Sequence, residues 1–448
     1  MRLETRKLID RSFSGLGFVS IALLVCALVV ILAPIIVKGA GAFVFRGTVE
    51  FRRMMVEKFA RGDQAAVTAE VAQVRRARQP VYDMLASFEQ DLNHMSFVER
   101  RKYAEPLSAL KETLRTLFGP PPDEPKPVMP RDQYGQTRWD RAQIKLHHVL
   151  FIEEYDYSDP TKMGVKRYVL RKDDFEGTSL EPLFGYVEEH AEEMLLPRLT
   201  FYWRFLFDES KDAHFFGGIW PEVLGTFYLT VGAMIFAVPM GVIAAIYLVE
   251  YTGESRIVNL IQTCVSTLAG VPSIVFGLFG LAFFINSLHV SHSKSVLAGS
   301  LTLALLVLPI IIRASEEAIR SVPRTYKEAA LSLGASKWRT IVTVILPAAL
   351  PGILTGIMIS MGRAAGETAP IIFTAAWSVG KPLTLIQTLS EGTPALPWNI
   401  YNLSTEHEAV DEIRHVQFGM VLTLVLLVLM LNAVALILRA RISRKLRG

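Results

Sequence analysis

The hydrophobic and polar positions of this chain fall into long blocks. Residues 18 to 37, FVSIALLVCALVVILAPIIV, form one uncharged apolar run, and about twenty such residues are what a helix needs to cross the hydrocarbon core of a bilayer. From Lys38 to about His214 no comparable run occurs. Within that stretch, 48 to 117 place apolar residues at helical spacing, with Val67, Val71, Val74, Val81, Leu85 and Phe88 as recurring positions. The pattern predicts two or three amphipathic helices. GPPPDEPKPVMP, 119 to 130, is too rich in proline for regular structure and reads as an extended linker. HHVLFIEEYDY and KRYVLRKDDF, separated by a stretch with Ser, Asp, Pro and Gly, predict a hairpin, and a helix is expected near Leu180 to Leu195.

Apolar blocks return at 217. The second span reads 217 to 249 with a kink expected at Pro239, and EYTGESR turns the chain back. The third block, 257 to 288, carries AGVPSIVFGLFG, where Gly270, Pro272, Gly277 and Gly280 interrupt or thin a helix. Broken backbone at membrane depth is tolerated only where it is buried in protein or lines a wet cavity. The block is therefore either a wall of a pathway or a place where helices pack closely through glycine. The fourth span, 295 to 312, ends at Arg313, the fifth covers 341 to 376, an outer loop covers 377 to 416, and the sixth covers 417 to 438. The blocks predict an all-α polytopic membrane protein of six transmembrane helices, with a soluble, mainly helical α+β insert between the first and second. The corresponding segments are 1–37 for the amino terminus and first span, 38–214 for the insert, and 215–448 for the transmembrane domain with a loop at 314–347.

Charge orients this arrangement. Arg2, Arg6, Lys7 and Arg11 precede the first span. Arg313 at the end of the fourth span, with Arg320, Arg324, Lys327, Lys337 and Arg339 in the 314–347 segment, stands against Lys381 and Arg414 in the last outer loop. The positive-inside rule then puts both termini and that segment in the cytoplasm and the insert outside. Ala40, Gly41 and Ala42 resemble a signal-peptidase site, but the apolar run is longer than a usual signal core and reads as a retained anchor. The chain is 51% hydrophobic and 20% charged, with a net charge of +4 that is too small and scattered to argue for nucleic acid. Its two cysteines, Cys26 and Cys264, lie inside apolar runs and offer neither a disulfide framework nor a CxxC metal site. His147, His148, His289 and His292 lack ligand spacing, so no metal site is expected.

Two features carry candidate chemistry. In EAALSLGASKWRTIVTVILP, 328 to 347, Thr325 and Glu328 are spaced as a capping box that would begin a short helix, and Gly334 suits the left-handed residue that ends it. A polar, basic helix, turn and helix cannot sit in lipid and must dock on something soluble. The second feature is charge within apolar blocks. Arg363 and Glu367 stand four residues apart on the fifth span with Thr368 beside them, and Arg313 and Glu316 stand near the inner end of the fourth. Such charges are costly and mark functional positions by default. The competing readings are a packing salt bridge for the first pair and snorkelling for the second. An arginine in a pathway suits an oxyanion, because its fork matches two oxygens at once.

Glu328, Ala329, Ala330, Gly334, Val344, Leu346 and Pro347 resemble the EAA loop of bacterial ABC importer permeases, with Val344 where that family usually has isoleucine. GRAAGETAP, GGIWPEVLGT, AGVPSIVFG and ALPWNIYN are similar to the PstA-type permeases of phosphate ABC importers. The resemblance covers about 18 to 37 and 217 to 438, and the large insert departs from the shortest members while resembling an extra domain in longer ones. It implies a transport subunit without catalytic residues of its own, half of a phosphate pathway in the bacterial inner membrane. The implied pathway residues are Arg363, Glu367, Arg313 and Glu316, and the implied ATPase contacts are Glu328, Ala329, Ala330, Gly334, Leu346 and Pro347. A PstC-type second permease, a PstB-type ATPase dimer and an extracytoplasmic phosphate-binding protein complete the implied machine. ATP and magnesium belong to the partner ATPase, since this chain has no P-loop lysine motif. Alternatives are a molybdate or sulfate permease of the same architecture, or a phosphate-sensing signalling subunit.

Overall fold

The computed structural model describes residues 3–122, 135–156, 164–253, 255–407 and 410–447. Arg2, most of the expected 119–130 linker and the expected hairpin turn lie outside the described residues. The chain divides into two compact units: Phe43–Trp203, and Met1–Ala42 with Arg204–Gly448. The first helix, α1 (Leu3–Ala40), belongs to the second of these and packs along the last helix of the chain.

The Phe43–Trp203 unit opens with β1 (Val44–Gly47) and contains α2 (Val49–Phe59), α3 (Gln64–His94) and α4 (Phe97–Phe118). These are the helices expected from the spacing of Val74, Val81, Leu85 and Phe88, all buried. Asp63 caps α3 by accepting from the amides of Ala65 and Ala66, and Ser96 with Glu99 forms a reciprocal capping box on α4. Next come α5 (Trp139–Leu150), β2 (Phe151–Asp156) and β3 (Val165–Leu170). The hairpin is present in antiparallel register from Phe151 opposite Leu170, but HHVL is helical. Its reason is the core-facing set Trp139, Ala142 and Val149, all buried and at helical spacing, so the strand begins only at Phe151. The helix expected near 180 to 195 is two short ones, α6 (Pro182–Glu189) and α7 (Ala191–Leu195), parted at His190.

A last strand, β4 (Arg198–Phe201), pairs antiparallel with β1, Val44 opposite Phe201 and Gly47 opposite Arg198. The two ends of the unit therefore leave side by side, which four-residue strands gave no periodicity to foresee. The core packs Phe88 edge-on against Phe175 (centroids 5.7 Å) and Tyr103 (5.5 Å), with Leu110, Leu117, Leu183 and Met194 fully buried around them. One guanidinium stitches this core. Arg78 donates to Glu50 (3.1 Å), to the Phe118 carbonyl (2.9 Å) and to the Met194 carbonyl (2.9 Å). Burial pushes the Glu50 carboxyl above its usual range, against the pull of Arg78 and Arg53.

The other unit holds the long apolar helices. Among the described residues, five are long and apolar enough to cross a membrane, and a bent pair makes up to six. After α1 come α8 (Trp220–Ile246), the bent pair α9 (Arg256–Leu268) and α10 (Ser273–Gly280), and α11 (Val296–Arg320). They are followed by α12 (Arg324–Ser332), α13 (Lys337–Thr340), α14 (Leu346–Gly366), α15 (Ala369–Thr374), α16 (Leu396–Thr405) and α17 (Arg414–Arg447). α11 is the central post, with 67% of its apolar window buried. Small residues let its neighbours approach: a Cβ on Gly232 of α8 would stand 2.4 Å from Ser300 Oγ, and one on Gly356 of α14 would stand 2.3 Å from the Ala314 Cβ.

Three span boundaries differ from the sequence expectation. α11 continues to Arg320, so Arg313 lies within a helix and the loop begins only at Ser321. The third block is broken as Gly270 and Pro272 foretell, but the two pieces meet at 100° instead of running through as one rod. The fifth span stops at Gly366 and resumes as α15. Pro370 explains this, because its ring would collide with the Gly366 carbonyl four residues back and it has no amide to bond there. The 377–416 segment also contains α16, docked on α8 and α17, where a loop was expected.

Candidate substrate pathway and coupling element

Both sequence-predicted charge pairs form. Near the end of α14, Arg363 Nε donates to Glu367 Oε1 at 3.2 Å. Glu367 is the residue that follows the last turn, with extended backbone (φ −77°, ψ 127°), so it stands at a helix end and not within a continuous span as expected. Thr368 begins α15 without capping it. The break leaves the pair half open: Arg363 has 37% of its side chain exposed and Glu367 19%. The Arg363 terminal nitrogens carry no hydrogen bond among the described residues, so one edge of the guanidinium fork stays available for a planar or tetrahedral oxyanion.

The second pair is held more tightly. Arg313 Nη1 lies 3.4 Å from Glu316 Oε2, and Nη2 donates to the Gln262 carbonyl at 2.9 Å and to Ser266 Oγ. These partners draw the side chain onto α9 instead of letting it run to a headgroup. Glu316 is buried, and its Oε1 has no partner among the described residues. Among the described residues no ion pair joins the two couples. Gly356 packs on Ala314, next to Arg313, and Arg363 lies two turns further along α14, so the couples stand at depths about 10 Å apart.

The coupling segment is a helix, turn and helix, as expected. Its start differs: Pro323 precedes α12, no side chain caps it, and the Thr325–Glu328 box does not form. Pro323 presets the entry with φ −56°, which places Thr325 inside the first turn, beyond the capping position. The stop is as expected. Gly334 has φ +84°, its amide bonds the Leu331 carbonyl (2.9 Å) and the Ala335 amide bonds the Ala330 carbonyl (3.1 Å), closing a Schellman turn. Ser336 then caps α13. No residue of α12 is buried, Glu328 and Ala329 are exposed, and Leu333 (89%) and Trp338 (62%) project as well. Leu346 and Pro347 open α14 in half-buried positions.

The sequence motifs GGIWPEVLGT and ALPWNIYN prove to be one site. Glu222 Oε1 receives Asn399 Nδ2 at 3.0 Å and lies 2.9 Å from His214 Nε2, with all three residues buried. Thr226 accepts the Leu396 amide at 2.8 Å, and a Cβ on Gly225 would meet the Pro394 carbonyl at 2.0 Å. This polar clasp holds α16 against the amino-terminal end of α8. Sequence reading marked both motifs but had no signal that they touch. Among the described residues no group of three His, Cys, Asp or Glu could hold a metal ion.

The profile of the family described as binding-protein-dependent transport system inner membrane component matches residues 237–448. A probable ABC transporter permease protein, YqgI, of Bacillus subtilis is 34% identical over 239 residues, 51% of this chain and 80% of that protein. The phosphate transport system permease protein PstA 1 of Mycobacterium tuberculosis is 38% identical over 233 residues, 52% of this chain and 73% of its own length. The chain belongs to the PstA-type family of binding-protein-dependent permeases. PstA of Haemophilus influenzae matches at 34% over 194 residues, 42% of this chain and 67% of its own. Among solved structures, an inward facing methionine ABC transporter aligns at 18% identity over 51% of this chain and 94% of its own, with a TM-score of 0.37, too low to carry an inference. As a PstA-type permease the chain is a multi-pass inner membrane component of a transport system that works with a binding protein and an ATPase. The family profile begins within α8, leaving the Phe43–Trp203 unit outside the match.

Proposed function

We propose that this permease forms half of the pathway of an ATP-driven importer of inorganic phosphate, with Arg363, Glu367, Thr368, Arg313 and Glu316 along it. The observation that carries the reading is the half-open Arg363–Glu367 couple at the α14–α15 break. An arginine with a free edge presents two parallel donors to an oxyanion, and the adjacent carboxylate repels sulfate or accepts the proton that monohydrogen phosphate carries. Arg313 and Glu316, the latter with an oxygen that no described residue partners, place a second arginine–carboxylate couple about 10 Å away. Relatives named as phosphate permeases support this choice of anion.

Glu328, Ala329, Ala330, Gly334, Leu346 and Pro347 then belong to the surface that meets a PstB-type ATPase dimer, with the exposed Leu333 and Trp338 as apolar contacts. ATP and magnesium act there, and a PstC-type permease supplies the other half of the pathway. Lysine and arginine between 313 and 339 favour the cytoplasmic side for the hairpin and both termini, leaving Phe43–Trp203 outside, where a phosphate-binding protein delivers its cargo. The test is uptake of labelled phosphate by the assembled importer with sulfate and molybdate as competitors. Phosphate uptake that neither competitor reduces, and that Glu367→Gln opens to sulfate, is the expected result. Equal competition by sulfate or molybdate, or a Glu367→Gln variant with unchanged selectivity, refutes the assignment.

A further inference from the structure

The coupling hairpin is covalently joined to α11 and α14 only, yet both of its helices also grip the inner end of α8. That helix runs into a π-helical turn, Tyr247–Tyr251, in which the Glu250 side chain is only 7% exposed. Lys327, on α12 immediately before Glu328, places its Nζ 2.5 Å from Glu250 Oε2. From α13, the Lys337 ammonium stands 4.8 Å from the centroid of Tyr251, which itself stacks on Tyr247. A second π-helical turn, Ile341–Ile345, joins α13 to α14. Beneath these contacts Ala245, Ala318, Ile319, Ile341 and Ile345 form an apolar cluster whose packing is non-directional.

We propose that Glu250 is a positioning residue of the transport cycle, and that its ion pair with Lys327 is the strut that carries displacement of the coupling hairpin into α8. The inference rests on reading the hairpin as the ATPase contact. The physical ground is the asymmetry of the pair. Removing the lysine leaves a nearly buried carboxylate without its ion-pair partner. The hairpin and the end of α8 therefore move together more readily than they part. The apolar cluster below has no such directional hold, and π turns, with one residue more per turn, are frequent where helices must adjust.

The experiment uses the whole importer in liposomes and reads phosphate uptake, ATP hydrolysis and retained ATPase together. Glu250→Gln and Lys327→Met are expected to lower uptake about tenfold while hydrolysis falls less than about twofold, so that more ATP is spent per phosphate. The charge swap Glu250→Lys with Lys327→Glu restores the ratio towards wild type, which a loss of folding would not. Lys327 is 36% exposed, so Lys327→Met decides the matter even if Glu250→Gln fails to assemble. An unchanged ratio in Lys327→Met, or loss of the ATPase from that variant, overturns the strut. A wild-type importer that carries another oxyanion overturns the phosphate reading alone, and the same ratio measured with that oxyanion still decides the strut.

Discussion

The Phe43–Trp203 unit and the membrane unit treat apolar surface and buried charge in opposite ways. In the first, Phe88, Phe175, Leu110 and Leu117 are sealed from solvent, and the charged pair Glu50–Arg78 is locked among backbone carbonyls. In the second, none of the α1 apolar window and 11% of that of α17 is buried, although their mean hydropathies, 3.1 and 2.9, are the highest among the spans. Its Arg363–Glu367 pair is left half open. The Phe43–Trp203 unit answers its own chemistry internally. The membrane unit leaves apolar helix surface for lipid to cover, and its Arg363–Glu367 pair stays accessible.

That contrast can be broken most severely at Arg363. Arg363→Ala is expected to lower phosphate uptake by about a hundredfold or more, and Arg363→Lys to recover little of it, because a point charge cannot replace a two-pronged donor. Uptake within about threefold of wild type in the alanine variant would make the pair a packing device like Glu50–Arg78. Next in size is Phe88→Ala, expected to cost about 3–5 kcal/mol of local stability, read by hydrogen exchange across α3 and α4 in the full chain. A loss below about 1 kcal/mol would mean that the core is not closed on itself.

A pH series sharpens the comparison further. The carboxyl of Glu50 is raised from its ordinary value near 4.5 by burial, so the folded chain binds its proton more tightly than the unfolded chain does. Its contribution to stability is therefore greatest below the unfolded value and is lost as pH rises through the folded one, the reverse of an exposed, paired carboxylate. Exchange rates in α2 and α3 are expected to rise with pH beyond the intrinsic chemical trend, and Glu50→Gln to flatten that excess. The smallest effect belongs to α1, where Val30 is 65% exposed. Val30→Ala is expected to change stability by less than about 0.5 kcal/mol in detergent, far below the cost expected of Phe88→Ala.

Legibility followed the range of the physical cause. The helices α2 to α4, the β2–β3 hairpin, the break at Gly270 and Pro272 and the Gly334 stop all arise from residues close together in the chain, and all were readable. Local rules also misled where a nearer constraint overrode them. Pro323 displaced the Thr325–Glu328 cap, and Pro370 ended α14 inside what reads as one span, 341 to 376. The candidate pairs Arg363–Glu367 and Arg313–Glu316 were visible because helical neighbours at three and four residues meet whatever the fold. The clasp of Glu222 by Asn399 and His214, and the hold of Lys327 on Glu250, were not.

What the sequence determined alone was the alternation of apolar and polar blocks, the helical hairpin with its glycine turn and the presence of charge where lipid penalises it. Those follow from covalent geometry and transfer energies that act over a few residues. Only the tertiary structure decided that Asn399 closes on a glutamate 177 positions away, that Glu250 meets a lysine 77 positions on, and that Arg313 is drawn onto α9. Such contacts depend on how whole helices stack, and the energy selecting one stacking is spread over many small van der Waals gains that no single stretch of sequence displays.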